Sequence, residues 1–152
     1  MFTIGEDDLA SESTRSLLAI HLSGMHANSP PGSVFALDLS GLQSDDVTVW
    51  TARQSGATIG VAALRTLRDG TGEVKSMRTH PDFLRRGVAT ALLEHVIDQA
   101  SQRGLTGLSL ETGSGPAFDP ALSLYRKRGF QNGGAFADYQ QSDFNQFLHL
   151  RL

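Results

Sequence analysis

Apolar and polar residues follow two different periods along this chain, and the change from one to the other divides it. Between Val47 and Ala52, Val47, Val49 and Thr51 alternate with Thr48, Trp50 and Ala52, the period-two pattern of a strand. Arg53-Gln54-Ser55-Gly56 turns the chain into Ala57–Leu67, a second strand rich in small and β-branched residues. Asp69-Gly70-Thr71-Gly72 turns it again into a third strand over Glu73–Thr79, so this region predicts antiparallel pairing. From Gly87 to Arg103 the period becomes helical. Val88, Ala89, Leu92, Leu93, Val96, Ile97 and Ala100 share one face, and Gly104 stands where a left-handed C-terminal residue belongs. Leu105–Glu111 then reads as a buried strand and Pro120–Arg128 as a shorter helix ended by Gly129. Phe136–Tyr139 and Phe144–Leu152 read as a closing pair of strands.

Upstream, Phe2–Ile4 predicts a short strand, and Asp7 and Asp8 are candidate caps for a helix over Leu9–Met25. His26-Ala27-Asn28-Ser29-Pro30-Pro31-Gly32 cannot continue that helix, because proline removes a donor and restricts the residue before it. A helical turn is expected around Val34–Leu39. Strands, a long helix, a strand, a helix and further strands predict a mixed α/β (α+β) sheet within one domain spanning residues 1–152.

Composition narrows the function classes. With no cysteine, disulfides, thiolate metal sites and a cysteine nucleophile are excluded. No apolar run approaches the roughly 18 residues of a membrane span, and the acidic start, Met1–Glu12, is unlike a signal peptide. A cytoplasmic protein is expected. The net charge of −3 conceals an asymmetry: residues 1–46 hold seven acids against the single base Arg15, while seven bases cluster as Lys75, Arg78, Arg85 and Arg86, then Arg126, Lys127 and Arg128. A local basic focus on an acidic chain fits a small anionic ligand better than a nucleic acid. The five histidines show no paired spacing with a carboxylate that would hold a metal. Gly113-Ser114-Gly115 is a weak nucleotide-binding loop, since Pro116 interrupts it and Phe118 stands where a third glycine belongs.

The most informative stretch runs from Met77 to Thr90, where a strand ends, a His80-Pro81 turn follows, and two arginines precede a glycine that opens a long helix. The first turn of a helix carries unpaired N–H groups and the positive end of the helix dipole. Gly87 and Ala89 leave those groups accessible, so a diphosphate cradle is one reading and a glycine turn with two solvated arginines the other.

Leu84-Arg85-Arg86-Gly87-Val88-Ala89-Thr90 resembles the acetyl-CoA signature of the GNAT superfamily of N-acetyltransferases, written Gln or Arg, two variable residues, Gly, one variable residue, then Gly or Ala. Gly87 and Ala89 fill the last two slots, and Leu84 departs from the first. Ala121-Leu122-Ser123-Leu124-Tyr125-Arg126-Lys127-Arg128-Gly129-Phe130 resembles the family's A-x-x-L-Y-x-x-x-G-F helix end. Gly72–Thr79, Leu110–Gly113 and Ser29–Ser33 resemble its small bacterial YsnE-like members. The resemblance implies a GNAT fold: a mostly antiparallel sheet of about six or seven strands with about four helices and splayed central strands. It implies acetyl-CoA as donor, pantetheine along Met77, Arg78 and Thr79, and pyrophosphate on Leu84, Arg85, Arg86, Gly87, Val88, Ala89 and Thr90. It implies Tyr125 as general acid to the departing thiolate, although a tyrosine packed on a helix's core face is the alternative. Glu73 is the candidate base, with Glu111 as either base or buried partner of Lys75. The acceptor, an amine of a small molecule or peptide, is expected against His26, Ser29, Lys75, Arg78 and Tyr139. Lys75 and Arg78 point to an acceptor bearing an anionic group, or else to the CoA phosphates. Phe118 stands where many relatives have Asn or Gln. A homodimer is a further expectation, and a non-catalytic acyl-CoA-binding sensory module is the rival function.

Overall fold

The computed structural model describes Met1–Leu152. In chain order the elements are β1 (Thr3–Glu6), α1 (Glu12–Asn28), α2 (Leu39–Leu42), β2 (Val47–Gln54), β3 (Ala57–Thr66), β4 (Gly72–Thr79), α3 (Val88–Gln102), β5 (Gly107–Thr112), α4 (Asp119–Arg128), β6 (Gln131–Gly133) and β7 (Gln146–Arg151). The seven strands make one sheet in the order β1-β2-β3-β4-β5-β7-β6. Every neighbouring pair is antiparallel except β4 and β5. That exception follows from the connection, since α3 crosses over between the two strands and returns the chain in the same direction.

Strand alternation sends side chains to both faces, and helices cover both. On one face Ile59, Ala62, Leu64 and Val74 pack with Val88, Leu92, Leu93, Val96 and Ile97 of α3 and with Leu122 and Tyr125 of α4. On the other, Val49, Val61 and Ala63 pack with Leu17 and Leu18 of α1 and Leu42 of α2. Gly60 lets α3 approach: a Cβ there would lie 2.6 Å from Val88 Cγ1 and 2.8 Å from Leu92 Cδ1.

Three local expectations are corrected. The cap of α1 is Ser11, whose side chain accepts from the Thr14 N–H. Asp7 instead accepts from Thr14, Thr51 and Arg53, tying the start of α1 to β2. The helical turn after the double proline is α2, capped by Asp38 and beginning where the expected turn ended. Phe136–Tyr139 is not a strand, because its aromatic rings pack edge-on around Phe147 and His149 rather than alternating across a sheet. The strand paired with β7 is the polar, exposed β6.

Candidate active site

Parallel pairing of β4 with β5 is confined to Gly72↔Leu108 and Glu73↔Ser109. Beyond it the strands separate. On its other side β4 carries a bulge: Lys75 to Arg78 spans three steps where β3 uses two, Ala63 to Val61. Ser76 takes up the extra residue at φ 54, a left-handed conformation that non-glycine residues enter at a cost. The result is a change of phase. Val74 and Met77 pack with the core under α3, whereas Glu73, Lys75 and Arg78 make their contacts on the opposite side, with residues of α1 and the loops beside it. Between the separated strands lies a cleft of about 560 Å³.

One end of the cleft is the start of α3. A short 3-10 turn, Pro81–Phe83, leads into Arg85 at φ 63 and Gly87 at φ 80. Gly87 is the N-cap, and no side chain caps the first turn. A Cβ at Gly87 would meet nothing within 4 Å, so glycine is favoured there by its dihedral and not by space. Leu84, Arg85, Gly87, Val88, Ala89 and Thr90 line the cleft. Arg86 does not: its guanidinium lies 5.2 Å over the Phe83 ring. Leu84, 57% exposed, is an apolar rim in place of a polar side chain. An uncapped helix start beside an arginine, and a buried Ser76 Oγ with no protein partner in the same lining, fit a ligand with a diphosphate and an amide-rich tail.

Toward the other end, Lys75 Nζ donates to Glu73 Oε2 at 3.1 Å, to Tyr139 Oη at 2.8 Å and to the Phe35 carbonyl at 3.3 Å. Tyr139 also donates to Glu73 Oε2. Glu73 and Lys75 are both buried, and all three ammonium protons of Lys75 have protein acceptors. Burial raises the Tyr139 phenol further above its usual range, and the charge of Glu73 adds to the rise.

Glu111, at the end of β5, lines the cleft. Burial pushes its carboxyl up to about 7, Lys75 pulls it down and Glu73 pushes it up again. Tyr125 is buried in α4 yet reaches the lining, and desolvation raises its phenol while the charge of Arg78 opposes the rise. Arg78 Nε donates to His21 Nδ1 at 3.0 Å. Burial, and then the charge of Arg78, lower His21 to about 4 and keep the ring neutral.

Among the expected cofactor residues, all but Arg86 meet in this lining, and of the expected acceptor residues Lys75 and Arg78 do. Tyr139 reaches it through Lys75, while His26 and Ser29 lie outside, at the end of α1. Sequence reasoning missed His21, Gly24 and Phe35, which the lining includes. His21 carried a signal: it recurs four residues after Leu17 on the apolar stripe of α1, a position where a histidine is buried.

Residues 15–130 match the Acetyltransferase (GNAT) family. The chain is 45% identical over 152 residues to the uncharacterized N-acetyltransferase YedL of Escherichia coli, covering all of this chain and 96% of that one. It is 42% identical over 146 residues to the uncharacterized N-acetyltransferase YsnE of Bacillus subtilis, covering 96% and 97%. A solved Klebsiella pneumoniae structure, assigned as an acyl-CoA N-acyltransferase, superposes with a TM-score of 0.85 at 27% identity over 100% of this chain and 98% of that one. No helix of the chain is long and apolar enough to cross a membrane. The protein belongs to the GNAT family and is an acetyl-CoA-dependent N-acetyltransferase.

Proposed function

We propose that this chain acetylates a primary amine of a small molecule or peptide by direct attack, with Glu111 as general base and Tyr125 as general acid. The observation that carries the reading is that both side chains line one cleft that opens from the uncapped start of α3. Acetyl-CoA supplies the acetyl group as a thioester already activated for transfer to nitrogen. The N–H groups of Val88, Ala89 and Thr90 and the side chain of Arg85 hold the diphosphate. The free edge of β4, at Met77, Arg78 and Thr79, holds the pantetheine as an added strand would. A backbone N–H near Met77 polarises the thioester carbonyl.

An ammonium cannot attack, so a proton must leave first. A carboxylate near 7 is matched to that task at neutral pH, whereas one near its ordinary value is a weaker base. Glu73, the base expected from the sequence, is a poorer candidate because Oε2 is engaged by both Lys75 and Tyr139 and the side chain is buried. Its role is positioning: it fixes Lys75 and Tyr139 and helps to raise Glu111. Tyr125 stays protonated at working pH and meets the departing sulfur as a donor. The chain's need for acetyl-CoA favours the cytoplasm as its place of work.

The test is calorimetric titration with acetyl-CoA followed by an amine screen read by thiol release. Binding is expected to weaken in Arg85→Ala and to change little in Arg86→Ala. Acetyl-CoA binding without turnover on any amine would instead mark a non-catalytic acyl-CoA-binding module, and absence of binding would overturn the assignment of the cradle.

A further inference from the structure

Apart from Arg85 at the start of α3, the cleft holds one strong cation that the protein leaves without a counter-ion. Lys75 is neutralised, with Glu73 against its ammonium and every proton accepted. Arg78 differs. It is half-buried and takes part in none of the five ion pairs of the structure. Its one side-chain partner is His21, a neutral acceptor for Nε, which leaves the four protons of Nη1 and Nη2 without an assigned acceptor. A half-buried guanidinium with no counter-ion is costly unless something else supplies the charge.

The surroundings hold Arg78 in place. Gly24 of α1 faces it so closely that a Cβ there would lie 3.0 Å from Nη2 and 3.5 Å from the guanidinium carbon. A glycine inside a helix costs stability relative to alanine, and here it makes room for the guanidinium. His21, one helical turn earlier, turns Nδ1 toward Nε and fixes the plane of the fork. The β4 bulge at Ser76 puts Arg78 on the same side as Glu73 and Lys75. His21, Gly24, Arg78, Glu111 and Tyr125 all line the one cleft, and Arg78 is near enough to Tyr125 to act on its charge. Apolar Met25, Phe35 and Ala36 also line the cleft.

Resting on the acetyl-transfer reading above, we infer that the acceptor is an amine that also bears a carboxylate, with the carboxylate held by Arg78 and the amine presented to Glu111. A guanidinium fork matches a carboxylate with two parallel hydrogen bonds, which suits a planar acid better than a single hydroxyl or amide oxygen. The CoA phosphates are served by the α3 start and Arg85, so this second cation selects the acceptor.

The experiment compares matched probes: amino acids of graded amine-to-carboxylate spacing, from leucine to 6-aminohexanoate, each against its own carboxamide. Two readouts are taken, thiol release with acetyl-CoA and thermal shift of the CoA-loaded protein without turnover. At one spacing the carboxylate form is expected to be preferred roughly ten- to a hundredfold in kcat/KM or apparent affinity, the worth of a charge-assisted contact. That preference is expected to collapse toward unity in Arg78→Gln, and to shrink in Gly24→Ala, which displaces the guanidinium while keeping its charge. Carboxamides accepted or bound as well as carboxylates at every spacing would overturn the inference, as would a preference that survives Arg78→Gln. The wild-type comparison needs no variant to fold. Turnover of amines without carboxylate preference would leave acetyl transfer standing while this inference falls. A protein that binds no CoA fails at the earlier step.

Discussion

At the scale of the residue, Glu111 and His21 are shifted in opposite senses by the same cause. Burial raises Glu111 to about 7 from an ordinary 4.5 and lowers His21 to about 4 from 6.5. Between pH 4.5 and 7 the folded state keeps a proton on Glu111 that the unfolded chain has released. The stability contributed by Glu111 is therefore present below pH 4.5 and lost as pH rises through 7. For His21 the unfolded chain binds the extra proton, so its contribution is present above pH 6.5 and lost as pH falls toward 4. The two slopes oppose one another over the shared window. Glu111→Gln is expected to be more stable than the wild type at pH 8, by on the order of 2 kcal/mol, and close to it at pH 4.5. Urea titrations at the two pH values check this. The same variant is expected to lose about 10²–10⁴ in kcat/KM together with the rising limb near pH 7, which makes the carboxylate a site where activity and stability conflict. Tyr125→Phe is expected to lower kcat more than it raises the KM for acetyl-CoA, measured by steady-state kinetics; equal turnover would remove its acid role.

At the scale of the element, α3 does two jobs, and two glycines separate them. Gly87 sets the dihedral from which the helix starts, so Gly87→Ala is expected to cost about 1–2 kcal/mol and to raise the KM for acetyl-CoA. Gly60 sets the helix's distance from the sheet, and Gly60→Ala is expected to cost about 1–3 kcal/mol by overpacking against Val88 and Leu92. Denaturant midpoints and acetyl-CoA KM values distinguish the two. The elements most legible in the sequence were those whose burial imposes a period: β2, β3, β4 and the apolar face of α3. β6 was not legible, because three exposed residues, Gln131, Asn132 and Gly133, carry no alternation. Its place was misread as Phe136–Tyr139 because aromatic residues favour strands and loop clusters alike. Within the cleft, the glycine cradle and Tyr125 were legible as spacings along the chain. The Glu73–Lys75–Tyr139 contacts and the His21–Arg78 pair were not, since their partners lie 64 and 57 residues apart for Lys75–Tyr139 and Arg78–His21. The bulge left no trace either, as a serine in the left-handed region has no sequence signature comparable to glycine's.

At the scale of the whole molecule, the cleft draws its walls from α1, β4, β5, α3 and α4, so a ligand that fills it joins elements far apart in the chain. CoA at a hundred times its Kd is expected to stabilise the protein by about 2.7 kcal/mol, on the order of 5–10 °C in Tm for a chain of this size. A thermal-shift series in CoA concentration reads the effect, and Arg85→Ala is expected to move the curve to higher concentration. The sheet itself has a property that no single contact reveals. Because β4 contains one residue more than β3 requires, its two halves have opposite parity, and Ser76 is the point where odd and even exchange sides. Substitutions along β4 alter one wall or the other, whereas removing Ser76 would straighten the strand and still leave Lys75 opposite Ala63 and Arg78 opposite Val61, on the α1 side. The bulge thus acts as slack in the count of residues: it absorbs one extra position at Ser76, so that the side chains before and after it keep their walls.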